Sequence, residues 1–190
     1  MSVRVHHDVV WSEDQGETVA RWLSENLGVK TRLVRIGAAF HRLAGQKYMQ
    51  NTNSIRFQDA YPIHWVTQES VDELSAVAGQ QITWTRFRPN FVGECGTPRL
   101  EHVIHEGTIG GIRFVQPKPC SHCPVTTVDQ EAGEKKDNEP LTSLSTYVRW
   151  ERTRETIFGE NILPLESGVV AIGDPITQTS ARSPPLAYSL

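Results

Sequence analysis

Residues 101–129, EHVIHEGTIGGIRFVQPKPCSHCPVTTVD, decide the fold. Ile104, Ile109, Ile112, Phe114 and Val115 fall on either side of a Gly110-Gly111 pair, so the first two-thirds of the stretch predict strands broken at glycines. The β-branched run Val125-Thr126-Thr127-Val128 predicts a further strand. Between the strands lies Cys120-Ser121-His122-Cys123, with Pro119 before it and Pro124 after it. The same texture appears upstream in ITWTRFRPNFVGEC (82–95), which carries Cys95, and downstream in NILPLESGVVAIGDPI (161–176), which predicts two strands around a Ser-Gly turn. Residues 3–11 and 29–36 also predict strands.

Helical spacing is confined to a few places. Val19, Trp22, Leu23 and Leu27 recur at helical intervals and stop at Gly28, and Val71, Leu74 and Val77 share one face of a segment ending at Gly79. LTSLSTYVRW (141–150) predicts a short third helix. Residues 37–56 predict an irregular linker, 130–140 a solvated loop, and 177–190 a disordered tail. Many strands with few helices and no regular alternation give a mainly β (α+β) fold, a barrel or folded sheet rather than a doubly wound nucleotide-binding sheet.

Composition excludes several functions. The chain has 190 residues, 38% of them hydrophobic, and a net charge of −3 from 19 Lys and Arg against 22 Asp and Glu. With no basic surplus and no run of like charge, a nucleic-acid partner is not expected. No apolar stretch approaches the roughly 18 residues that span a bilayer, and MSVRVHHDVV lacks the apolar core of a signal peptide, so the expectation is a cytoplasmic protein without a membrane partner.

Three cysteines are an odd and small count, which argues against a disulfide framework. Four readings compete for the Cys120–Cys123 loop. A redox dithiol requires the pair at a helix start, and the β-branched residues that follow speak against it. Structural zinc requires four ligands, for which His102 and His105 are the only neat complement, and Cys95 could replace one of them. A single thiolate on a proline-flanked loop suits a softer or higher-valent metal. Three small buried hydrophobes is the plain alternative.

Five further segments bear on the choice: RFRPN (86–90), PCSHCPVTTVD (119–129), PLTSLSTYVR (140–149), FGEN (158–161) and GVVAIGDPI (168–176). In order and spacing they resemble the MOSC domain, found at the carboxyl end of molybdenum-cofactor sulfurases and in amidoxime-reducing molybdoenzymes. VARWLSENLGVKTRLVR and RFQDAYPIHWVTQESVDEL resemble the end of that family's amino-terminal β-barrel region and the entry to the domain. The resemblance implies a MOSC-type β-barrel with peripheral helices, laid out as 1–50 for a truncated remnant of the amino-terminal region and its linker, 51–176 for the MOSC domain, and 177–190 for the tail.

The resemblance also implies a site. Cys123 matches the protein ligand to molybdenum, and Asp59, Arg88, Ser121, His122 and Asn161 match positions near the molybdenum cofactor. His122 stands where amidoxime-reducing members usually carry arginine, and Ile104 lies near an expected tryptophan. The implied function is molybdenum-cofactor binding with reduction of small N-hydroxylated substrates, using electrons from a separate partner. The alternatives are a non-catalytic carrier in which Cys123 holds a persulfide or a cofactor from a sulfur donor and, more weakly, a structural zinc protein.

Overall fold

The structure is a computed structural model and describes residues 1–150, 155–183 and the backbone of 186–187. It divides into two compact units, Met1–Pro62 and Ile63–Leu190.

In the first unit, β1 (Ser2–Val5), β2 (Asp8–Asp14) and β3 (Val34–Ile36) form an antiparallel sheet. Helix α1 (Glu17–Leu27) crosses between β2 and β3 and ends at Gly28 in the left-handed region, as the spacing predicts. The strand expected from 29 forms only at Val34. Before that the Thr31 amide donates to the Ser24 hydroxyl at 2.9 Å, and the Ser24 hydroxyl donates to the Thr31 carbonyl at 3.2 Å, which ties the chain back to the helix. The expected linker carries no regular element beyond an isolated bridge between Leu43 and Ser54.

The second unit begins with β4 (Ile63–Thr67), helix α2 (Gln68–Ala78) and β5 (Phe91–Gly93). After β5 come the hairpin β6 (Ile104–Ile109) and β7 (Ile112–Val115), β8 (Pro119–Ser121), helix α3 (Leu141–Tyr147) and β9 (Val148–Arg149). The unit closes with β10 (Ile157–Pro164), β11 (Ile176–Ala181) and β12 (Leu186–Ala187). One seven-stranded sheet runs β11-β6-β7-β10-β4-β5, with β8 also paired to β10. All its pairs are antiparallel except β4 with β5. The fold is mainly β with few helices, as expected. None of the described helices is long and apolar enough to cross a membrane.

Strand β10 carries this sheet. Seven of its eight residues are buried, and it pairs with β4, β7 and β8 in turn. Apolar residues stack on both sides. Val66, Val71, Leu74, Phe87, Leu144, Tyr147, Ile157 and Phe158 form one core under α2 and α3. Trp65, Ile104, Ile109, Phe114 and Ile162 form the other. The Val71–Leu74 face of α2 is inward, as its spacing predicts, and the Thr67 side chain caps the helix by accepting from the Ser70 amide.

Several expected strands take other forms. Pro124–Thr127 is a short 3-10 helix, because the Thr126 and Thr127 hydroxyls donate to the Cys123 and Pro124 carbonyls at 3.0 and 2.7 Å and supply locally the bonds a ladder would give. Trp84–Phe87 is likewise a 3-10 helix, closed by Arg88 at φ 54° with Phe87 drawn into the core. Cys95, expected in a strand, lies beyond β5, where its amide turns to the Glu69 carboxylate at 2.8 Å. The strand expected around 168–176 starts only at Ile176, since the Asp174 carboxylate accepts from the Ala171 amide at 2.7 Å and folds the preceding residues into a turn. Residues 177–181, expected to open a disordered tail, complete β11 by pairing with β6, whose edge offers its backbone groups. The end of that expected tail, at 184–185 and 188–190, lies outside the described residues.

Leu74 is fully buried and Leu27 is exposed. Leu74→Ala is expected to lower the unfolding free energy by about 3 kcal/mol in urea titration, whereas Leu27→Ala should change it by less than ~0.5 kcal/mol.

Candidate functional site

The site forms where β10 bends. Between the pairs Ile157–Ser121 and Glu160–Pro119 the register with β8 shifts, and Gly159 sits in that bulge at φ +64°. A Cβ there would stand 2.4 Å from the Trp65 carbonyl and 2.8 Å from His64 Nε2. Glycine is required on both counts, of conformation and of space. The bulge lets His64 on β4 and the β8 loop close in on β10 from its two sides.

Three side chains meet there. A ring nitrogen of His64, a ring nitrogen of His122 and Sγ of Cys120 all lie within 4.8 Å of one another. The two rings stand 5.4 Å apart, and His122 packs edge-on against Phe87 at 5.2 Å. Both Nε2 atoms face one acceptor, the Phe158 carbonyl, at 3.2 Å from His64 and 2.8 Å from His122. Burial pushes the His64 pKa down to about 3, with His122 adding to the effect and the Phe158 and Phe87 carbonyls opposing it. Burial likewise pushes His122 down to about 4 against the pull of the Phe158 carbonyl. Both imidazoles are therefore neutral at pH 7.

The two cysteines of the loop have separate surroundings. Cys120 is half-buried in this cluster. Cys123 is exposed at the start of the 124–127 turn, its carbonyl accepts from the Thr126 amide and hydroxyl at 3.2 and 3.0 Å, and its sulfur makes no hydrogen bond among the described residues. Cys95 is half-buried against the Trp65 core, and burial first, then Glu69 and Glu101, push its thiol up to about 11.

Of the other residues expected at a site, Arg88, Ser121 and Asn161 lie around this loop. Arg88 is exposed at the end of the 84–87 turn and makes no ion pair among the described residues. That turn lies against the one that Cys123 begins, with Arg86 donating to the Thr126 carbonyl at 3.4 Å. The Ser121 hydroxyl donates to Glu155 and accepts from Lys118 at 2.9 Å. Asn161, buried on β10, donates through Nδ2 to the Lys118 and Pro119 carbonyls at 3.3 and 3.1 Å and so ties down the start of β8. Asp59 belongs to the first unit. There its carboxylate lies 2.9 Å from His6, and its carbonyl accepts from the buried Arg42 at 2.7 Å.

His102 and His105, the zinc complement that the sequence offered, do not join the cysteines in the described structure. His102 is buried, with Nδ1 2.6 Å from the fully buried Glu160, whose other oxygen lies 2.5 Å from Arg182. Arg182 also donates to the His102 and Gln116 carbonyls at 3.2 and 2.9 Å. A buried carboxylate requires such compensation. Burial works against charge on His102, but the bond to Glu160 and the charges of Glu160 and Glu101 outweigh it and, against the opposing charge of Arg182, raise the His102 pKa. His64 and Glu160 gave no signal in sequence: their partners lie 22 to 58 positions away.

With this sheet and loop in place, the family is shown by comparison as well. Residues 52–177 match the MOSC domain, and the chain belongs to that family. Mitochondrial amidoxime-reducing component 1 of Mus musculus is 26% identical over 187 residues, 93% of this chain and 55% of the relative. The molybdenum cofactor sulfurase of Drosophila erecta is 32% identical over 133 residues, 70% of this chain and 16% of the relative. The crystal structure of YiiM from Geobacillus stearothermophilus aligns with a TM-score of 0.46 and 12% identity over 90% of this chain and 72% of that one. The chain spans about half the length of the amidoxime-reducing relatives it matches.

Gly159→Ala is expected to lower stability by more than ~2 kcal/mol, since both backbone conformation and space forbid a Cβ; equal melting temperatures for variant and parent would contradict that packing. The raised His102 pKa means that the folded state keeps a proton that the unfolded state releases near its ordinary 6.5. The resulting stabilisation is complete below pH 6.5 and is lost as pH rises through the folded pKa. Relative to His102→Leu, the parent should lose up to about 1.4 kcal/mol per pH unit across that window in urea unfolding.

Proposed function

We propose that this protein binds the molybdenum cofactor through the Cys123 thiolate and reduces small N-hydroxylated compounds with electrons from a separate donor protein. The observation that carries this reading is the state of Cys123, the residue that the resemblance matches to the metal ligand: an exposed thiol on a loop held by Pro124 and Thr126, with its sulfur unengaged among the described residues. The relatives named amidoxime-reducing components support the reaction class.

The residues fit the group in two respects. A thiolate suits a metal that already carries the sulfurs of a pterin dithiolene. The Arg88 guanidinium, exposed at the end of the adjoining turn, offers a planar fork of donors to an anionic pterin phosphate. When bound, the cofactor supplies the two-electron redox centre needed to release the hydroxyl oxygen as water.

The chain's own part is positioning. Asn161 holds the Lys118 and Pro119 carbonyls, Ser121 sits between Lys118 and Glu155, and His122 anchors its ring on the Phe158 carbonyl. Together they fix the loop that presents Cys123. In this reading these three of the expected cofactor residues act through the loop, and Arg88 and Cys123 meet the cofactor themselves. A preformed ligand loop limits the ordering that binding must impose.

Molybdenum content, measured on the full chain from a cofactor-competent host, tests the reading. Stoichiometric molybdenum in the parent and in Cys120→Ala, lost in Cys123→Ala, is the expected pattern; molybdenum retained in Cys123→Ala overturns it. Reduction of an amidoxime by an artificial electron donor then separates enzyme from carrier. A molybdenum-loaded chain that fails to turn over is a carrier.

A further inference from the structure

The cysteine that the proposed function leaves aside has its own partners. Cys120 Sγ and one nitrogen each of His64 and His122 form a group within 4.8 Å of one another, and among the described residues it is the one group of three or more His, Cys, Asp or Glu close enough to share an ion. The donors come from opposite sides of β10: His64 from β4, Cys120 from β8 and His122 from the residue after it. Nothing about the cysteine spacing announces this set. It arises because β4 and β8 both flank the bulge at Gly159.

We propose that His64, Cys120 and His122 form a binding site for a thiophilic divalent cation, zinc being the ion it fits, distinct from the molybdenum position at Cys123. Two imidazoles and one thiolate are a donor set zinc accepts, and three protein ligands leave its fourth position to water or to an added ligand. Ligand atoms on a tetrahedral zinc stand roughly 3.3–3.6 Å apart, given bonds of about 2.0–2.1 Å to nitrogen and 2.3 Å to sulfur. A group bounded at 4.8 Å therefore has to contract by about 1.5 Å at most, a movement of side-chain torsions.

The second contact of each imidazole agrees with this role. The Nε2 atoms of both rings face a single carbonyl, Phe158 O, at 3.2 and 2.8 Å, which fixes the orientation of the two imidazoles. Metal-bound histidines regularly donate their other N–H to a backbone carbonyl or carboxylate, which fixes tautomer and ring orientation. Here one carbonyl contacts both rings. Phe87 closes over His122 at 5.2 Å and stacks on Phe158 at 4.1 Å, so the rings are held from the apolar side as well. Binding is a ligand exchange without redox change: the Cys120 thiol loses its proton to solvent, the sulfur–metal bond forms, and waters leave the ion.

Cobalt(II) substitution tests the site. The full chain is stripped with chelator and titrated with Co²⁺ alone, reading the thiolate-to-cobalt charge-transfer band and the tetrahedral d–d bands, and then back-titrated with Zn²⁺. The expected result is one equivalent of cobalt with both signatures, displaced by zinc and retained in Cys123→Ser. Cys120→Ser should abolish the charge-transfer band, and His122→Gln and His64→Gln should each weaken binding by more than ~10-fold. If the His64 variant does not fold by circular dichroism, Cys120→Ser and Cys123→Ser decide the matter. A charge-transfer band that survives in Cys120→Ser, or disappears in Cys123→Ser, or an absence of tetrahedral cobalt in the parent, overturns the proposal. None of these results bears on molybdenum at Cys123, which is read separately from the metal content of Cys123→Ala.

Discussion

The backbone at Gly159 is the constraint on which the second unit depends. Its φ of +64° and the 2.4 Å between the Trp65 carbonyl and the place of a missing Cβ mean that β10 can bend there only with glycine. The bend lets a single buried strand serve β4, β7 and β8. It also divides the work of the residues around it. Phe158, before the bend, packs into the helical core and turns its carbonyl to two histidines. Glu160, after the bend, is buried with His102 and Arg182, and Asn161 anchors the start of the cysteine loop.

A carboxylate with no exposed surface in the middle of a strand would be untenable alone. Its two partners come from residue 102, before β6, and residue 182, after β11, so the ionic contact closes the sheet across β6, β7, β10 and β11. Arg182 adds bonds to the His102 and Gln116 carbonyls. Such a group contributes less net energy than its Coulomb attraction suggests, because desolvation offsets much of it.

The two cysteines of the loop end in different surroundings. Cys120 ends up half-buried beside two imidazoles, while Cys123, three residues on, begins a 3-10 turn with its thiol in solvent. Sequence spacing treats them as a pair. The turn from Pro124 to Thr127, closed by threonine hydroxyls on the Cys123 and Pro124 carbonyls, holds Cys123 at its start, while Cys120 ends up beside β10 through β8.

The sequence alone carried the mainly β class, the two long helices with their glycine stops, the short third helix and the segments that mark the MOSC family, because each is written in local periodicity, capping or contiguous motif. It misjudged Trp84–Phe87 and Pro124–Thr127, where β-branched and aromatic residues suggest strands but hydroxyl-to-carbonyl bonds and a buried Phe87 favour 3-10 turns. It also offered His102 as a zinc complement to the cysteines and overlooked His64. Those pairings belong to tertiary structure. His102 meets Glu160 across 58 positions, and His64 meets Cys120 and His122 only because β4 and β8 flank the same bend in β10. Proximity between residues so far apart is set by strand order and register, which no local pattern encodes.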